Sequence, residues 1–160
     1  MQRRASTREG DLRCGAPGAA HGTTPLRFFR FANTGGGPVK QDVVLVASED
    51  AETRRELAER LDWDDIPFHL ASNAHQAVEA IAFLPAGTRL FVVLDFARRA
   101  RARVMEALRG RADLEVQLLL LHDAHDDGLT DEKVVEHVRR PAVPGYLYSL
   151  VERHSGAVAV

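Results

Sequence analysis

Five consecutive apolar residues, Leu90-Phe91-Val92-Val93-Leu94, closed by Asp95, constrain this chain more than any other stretch. A half-exposed strand alternates apolar and polar residues. A short run that is apolar at every position is a strand covered on both faces. Val43-Val44-Leu45-Val46-Ala47 reads the same way, as does Val116-Gln117-Leu118-Leu119-Leu120-Leu121, which one glutamine interrupts. Phe68-His69-Leu70-Ala71, after Pro67, is a weaker strand. Val134-Val135-Glu136-His137-Val138 is a shorter, mixed one.

Helical spacing fills the gaps between these strands. Residues 51–62 place Leu57, Ala58 and Leu61 on one face. Residues 74–84 place Ala77, Val78, Ile81 and Leu84 inward, with Ser72 or Asn73 as the cap and Pro85-Ala86-Gly87 as the stop. Residues 99–110 present Val104, Met105 and Leu108, and end at Gly110. Pro144 starts a last helix to about His154 through Leu147, Leu150 and Val151. Residues 122–132 are polar and acidic, with room for a short helix at most.

Strands alternating with helices predict an α/β fold, a doubly wound parallel sheet covered on both faces. In such sheets ligands meet the carboxyl ends of the strands. Ser48, Glu49, Asp50, Asp95, His122 and Arg140 all fall at those ends.

At 160 residues the chain has room for one ordinary domain. We place it at residues 39–155. The preceding segment, 1–38, is rich in Gly, Ala, Arg, Thr and Pro and has one apolar cluster, Leu26-Arg27-Phe28-Phe29-Arg30-Phe31. It cannot bury enough surface to offset its ordering entropy, so it is expected to be a disordered basic tail. Gly35-Gly36-Gly37 before Val39 also fits an untranslated leader joined to a domain that begins at Val39. Residues 156–160 are expected to be a disordered end.

Charge divides the chain at the same boundary. Residues 1–40 carry seven Lys/Arg against Glu9 and Asp11, a net charge of +5; residues 41–160 carry 14 against 21 acids, a net charge of −7. An acidic body argues against nucleic acid as its partner. No apolar run is long enough to cross a membrane. The single cysteine, Cys14, allows no internal disulfide, and a reducing, cytoplasmic setting is expected.

The order of these segments resembles the receiver domain of bacterial two-component response regulators over about residues 41–154. Val44-Leu45-Val46-Ala47-Ser48-Glu49-Asp50 with Arg54-Arg55-Glu56-Leu57 is similar to the first strand, acidic turn and first helix. Ala71-Ser72-Asn73-Ala74-His75-Gln76-Ala77-Val78 is similar to the exit from the second strand into the second helix. Val92-Val93-Leu94-Asp95 is similar to the strand that bears the phosphoacceptor, and Arg140-Pro141 stands where the family has Lys-Pro. The resemblance implies a flavodoxin-like, five-stranded sheet with Asp95 in the phosphoacceptor position.

Several positions depart from the family. Its acidic pair falls at Ser48 and Glu49, or, shifted by one, at Glu49 and Asp50. Its hydroxyl residue falls at His122, its lysine at Arg140, and its aromatic switch residue at His137. The loop after Asp95 is about two residues short, and the fourth helix is reduced or missing. The family's Mg2+ would fall to Glu49 and Asp95 with the Ala97 carbonyl as third ligand. Arg140 keeps a lysine's charge but presents a planar fork. The Arg140–Pro141 bond can be cis, which suits an arginine aimed into the crevice.

Each residue also has a plainer role. Asp95 can end its strand as a cap or turn residue, or form an ion pair with Arg140 that locks the site. Ser48 and Glu49 can cap the first helix. His122, Asp123, His125, Asp126 and Asp127 read as a solvated acidic loop, since their spacing matches no metal pattern. Arg98, Arg99, Arg101 and Arg103 form a basic edge on the third helix.

Three functions follow. The leading expectation is a pseudo-receiver of a two-component phosphorelay, not an enzyme. It acts as a monomer or homodimer by binding a protein, with phosphorylation altered or lost. Its partner would be a histidine kinase or a downstream signalling protein, docking near His137, Tyr146 and Tyr148. The second is a working single-domain receiver, phosphorylated on Asp95 by a histidine kinase. The third is another flavodoxin-like small-ligand binder. Against the third, Ser48-Glu49-Asp50-Ala51 is acidic where a Gly-rich phosphate loop would stand.

Overall fold

In a computed structural model of the chain, residues 41–123 and 131–155 are described. Their elements run β1 (Asp42–Ser48), α1 (Ala51–Trp63), β2 (Phe68–Ala71), α2 (Ala74–Phe83), β3 (Arg89–Asp95), α3 (Arg98–Gly110), β4 (Glu115–His122), β5 (Val134–Arg139) and α4 (Pro144–Ser155). All five strands are parallel and lie in the order β2-β1-β3-β4-β5. That is the flavodoxin-like order, which reverses direction between β1 and β3. The expectations for the tail (1–38), the C-terminal end (156–160), His125, Asp126 and Asp127 lie outside the described residues. So does most of the link where the fourth helix was expected to be reduced. Among the described residues, no helix stands between β4 and β5.

The unbroken apolar runs become the central strands because each face of the sheet has its own core. Val43, Leu45, Leu90, Val92, Leu94, Leu118 and Leu120 face α2 and α3, where they meet Ala77, Ile81, Val104, Met105 and Leu108. Val44, Val46, Phe91, Val93, Leu119 and Leu121 face α1 and α4, where they meet Leu57, Leu61, Leu147, Leu150 and Val151. Each fully buried Leu, Val or Phe contributes about 1.5–3 kcal/mol of transfer free energy, so the central strands anchor the domain. β5 is an edge strand with a register shift opposite Leu118/Leu119, and only Val138 of its residues is fully buried. Its mixed sequence reflects that half-exposed place.

Two inward assignments shift. Ala58 and Val78 are only partly buried, and Thr53 and Ala80 take buried positions instead. Asn73, rather than Ser72, caps α2, its side-chain oxygen accepting from the Gln76 amide at 3.0 Å. No helix among the described residues is long and apolar enough to cross a membrane.

Candidate functional site

β1 and β3 run in register, so Ser48 and Asp95 stand side by side where both strands end. This is the point where the strand order reverses, the usual ligand position in such sheets. Ser48 is fully buried. Its hydroxyl accepts from the Asp50 amide at 3.1 Å and donates to Asp95 Oδ2 at 2.8 Å. The amide has only a proton to offer, so the hydroxyl proton is committed to Asp95.

The other oxygen of Asp95 is also occupied. Arg140 donates from Nε to Asp95 Oδ1 at 2.6 Å. Its NH1 reaches Asp123 Oδ2 at 3.3 Å, and its backbone amide donates to the His122 carbonyl at 2.9 Å. The Arg140–Pro141 bond is cis. The side chains of Asp95 and Arg140 are 13% and 27% exposed, so this pair is largely withdrawn from water. The ion pair weighed from the sequence is therefore formed.

Arg54, in the first turn of α1, brings a second guanidinium to the crevice. Its NH1 donates to the Ser48 carbonyl at 2.6 Å. Sequence reasoning missed this contact, and missed Asp123 as a partner of Arg140. Both join residues whose meeting depends on the fold rather than on spacing.

The other acids expected at the site are placed elsewhere. Glu49 is exposed. Asp50 caps α1, its Oδ2 accepting from the Thr53 amide at 2.8 Å and from the Thr53 hydroxyl. The Thr53 hydroxyl, then its amide, hold the Asp50 carboxyl below its ordinary pKa. The Ala97 carbonyl accepts from the Arg101 amide at 2.9 Å, the first hydrogen bond of α3. The Asp95 side chain keeps 13% of its surface exposed, and among the described residues its hydrogen bonds come from Ser48 and Arg140 alone.

Mg2+ asks for near-octahedral oxygen ligands, commonly one or two carboxylates and several waters. The donor set here does not fit it. One carboxylate lies at the crevice floor with both oxygens bonded, a neutral hydroxyl stands beside it, and two guanidinium groups are close by. Among the described residues, no group of three His, Cys, Asp or Glu side chains is placed to hold a metal ion.

His122 and His137 meet edge to face, with ring centroids 5.7 Å apart, on the sheet face that carries α2 and α3. His122 Nδ1 lies 3.0 Å from the Asp123 carbonyl. His137 is exposed on β5. Among the described residues, neither ring hydrogen-bonds to Asp95.

Two surface assignments are corrected. Tyr148 is 7% exposed and belongs to the core between the sheet and α4, with the Arg60 guanidinium 5.7 Å from its ring. It cannot face a docking partner, whereas Tyr146 is 49% exposed. Arg101 is 1% exposed and is not part of a basic edge. It stands three, four and seven residues before Val104, Met105 and Leu108, on the same inward stripe. Arg98, Arg99 and Arg103 are exposed as expected.

No family model and no curated protein matches the sequence. Solved structures do. A response regulator receiver domain (CheY-like) from Methanospirillum hungatei JF-1 superposes with a TM-score of 0.56 at 17% identity, over 73% of this chain and 95% of that one. The chain has the receiver-domain fold. A response regulator receiver protein from Burkholderia phymatum gives a TM-score of 0.54 at 18% identity, over 74% of this chain and 98% of that one. A receiver domain from Clostridium thermocellum gives 0.54 at 9% identity, over 71% and 92%.

Proposed function

We propose that the chain is a receiver-like module of two-component signalling, a binding protein rather than an enzyme, in which Asp95 is a pinned structural anion. One observation carries this reading. Both oxygens of the Asp95 carboxylate are held within the chain, by Ser48 at 2.8 Å and by Arg140 at 2.6 Å.

To act as a phosphoacceptor, the carboxylate attacks a phosphoryl donor with a lone pair of one oxygen, and a hydrogen bond on that oxygen makes it a weaker nucleophile. A hydrogen bond to a charged group is worth about 1.5–3 kcal/mol net. Where attack requires one such bond to be released, it slows roughly ten- to a hundredfold. The transferred phosphoryl group also needs cationic neutralisation. Arg140 already spends its charge on Asp95 and Asp123.

On this reading the signal passes by contact with a protein, a histidine kinase or a downstream component. The outer edge of β5 and the start of α4 offer the surface. Val135 is 39%, Tyr146 49% and Val143 70% exposed there. Incubation of the chain with Mg2+ and a small acyl-phosphate donor, followed by intact mass, tests the reading. The expected result is an unchanged mass. A phosphoryl adduct that disappears in Asp95→Asn would establish the alternative, a working single-domain receiver.

A further inference from the structure

We infer that Arg140 is a resident counter-ion that balances Asp95 in place of a divalent cation, and that it makes the crevice independent of metal. The inference rests on the pinned Asp95 described above, but concerns what balances its charge rather than what the module signals.

A carboxylate 13% exposed needs a balancing charge or a full set of hydrogen bonds. Water cannot supply either well at that depth, so a bound cation or a cationic side chain must. Here the cation is covalently part of the chain. Nε lies 2.6 Å from Asp95 Oδ1, within the range of a charge-assisted bond. The guanidinium is held from two further directions: Asp123 takes NH1 at 3.3 Å, and the His122 carbonyl fixes the backbone amide at 2.9 Å.

A second feature points the same way. Arg54 lies on the Ser48 carbonyl at 2.6 Å, so two guanidinium groups converge on the ends of β1 and β3. An entering divalent ion would meet both. It would also have to share Asp95 with the Arg140 guanidinium, whose positive charge opposes its entry. The exposed acids, Glu49 and Asp50, do not offset this: Glu49 points to solvent, and Asp50 is engaged by Thr53. Ser48 completes the arrangement. A hydroxyl donates a proton to the carboxylate, whereas an acid at that position would add a second negative charge and call for a second cation.

Removing the guanidinium should therefore create a cation site. The test uses thermal unfolding of the full-length chain in EDTA and in millimolar MgCl2. The wild type should show the same Tm in both. Arg140→Ala should unfold at a lower Tm in EDTA and recover a few degrees in MgCl2. The double variant Arg140→Ala with Asp95→Asn should lose that Mg2+ response. If Arg140→Ala does not fold, Arg140→Gln, which keeps the reach without the charge, is compared in the same way.

Two thermal-unfolding results overturn the inference. One is a Mg2+-dependent rise in the wild-type Tm that Asp95→Asn abolishes. The other is a folded Arg140 variant without any Mg2+ response. Calorimetric titration of the wild type with MnCl2 gives a readout that needs no variant to fold, and Asp95-dependent binding there would also overturn it. The fate of the functional reading is separate. An Asp95 adduct formed equally well in EDTA would sink the pinned-anion function and leave the metal-independent site standing. Mg2+ binding by the wild type would sink this inference whether or not an adduct forms.

Discussion

The two ends of the β1–β3 strand pair carry the same chemistry in opposite designs. At the amino end Asp42 stands in register with Arg89; at the carboxyl end Ser48 stands in register with Asp95. Arg89 is paired locally, 3.3 Å from Asp42 and 3.7 Å from Glu115, and these side chains are 28–49% exposed. Asp95 has no such neighbour of opposite charge on its adjoining strands. Its cation arrives from beyond the edge of the sheet, 45 residues along the chain. The amino end is thus redundant and more exposed, and the carboxyl end depends on one guanidinium in a more buried place. Locally paired charges are interchangeable surface, whereas a charge balanced from a distance makes its partner indispensable.

Breaking each end in turn should expose that difference. Arg140→Ala should have the largest effect. It leaves a mostly buried carboxylate unbalanced, and should cost about 2–3 kcal/mol, between the ranges for exposed and buried pairs. Urea unfolding followed by circular dichroism measures it; a loss no greater than that of Arg89→Ala would erase the contrast between the ends. Ser48→Ala should come next, at about 1–2 kcal/mol, since both Asp95 Oδ2 and the Asp50 amide lose a partner.

Arg111, at the amino end, sharpens the comparison from the other side. Its guanidinium donates to the carbonyls of Ile81 at 2.6 Å and Leu84 at 2.7 Å, closing the C-terminus of α2. Arg111→Ala should cost about 1 kcal/mol by the same denaturation, because water can replace part of what those carbonyls lose. Arg89→Ala should cost less than about 1 kcal/mol and lose most of its effect at high salt.

The smallest effect should be in the acid response. Asp50, near the crevice, is held below its ordinary value of 3.8 chiefly by the Thr53 hydroxyl, and Asp113, at the opposite end, by Arg111. A depressed carboxyl contributes stability that is present above its unfolded value and lost as pH falls through its folded one. Asp50→Ala and Asp113→Ala should each flatten the fall of Tm below about pH 4. An unchanged acid limb in both would show that neither end is held by these caps.

The sheet was legible because its central strands are buried on both faces, and nothing polar could interrupt them without a partner. The end of β3 at Asp95, the cap at Asn73 and the encounter of Asp95 with Arg140 were legible for related reasons: position along a strand, local turn chemistry and strand order. Arg101 shows where legibility failed. Its spacing to Val104, Met105 and Leu108 placed it inward, but its charge suggested the surface, and the spacing was the better guide. Tyr148 failed in the same way, one position after the buried Leu147 on a wide apolar stripe. Arg54 and Asp123 left no trace in the sequence, since their roles come from where β1 and β4 end in space.

Arg140 joins the ends of three strands: its side chain holds the last residue of β3, and its amide holds the last carbonyl of β4, directly after β5 ends. A strand with few buried residues, as β5 is, ordinarily opens locally at low cost. Here fraying of β5 would pull on the guanidinium that holds Asp95. The amides of β5 should therefore exchange with solvent as slowly as the crevice stays closed, so that an outer strand keeps time for an interior charge.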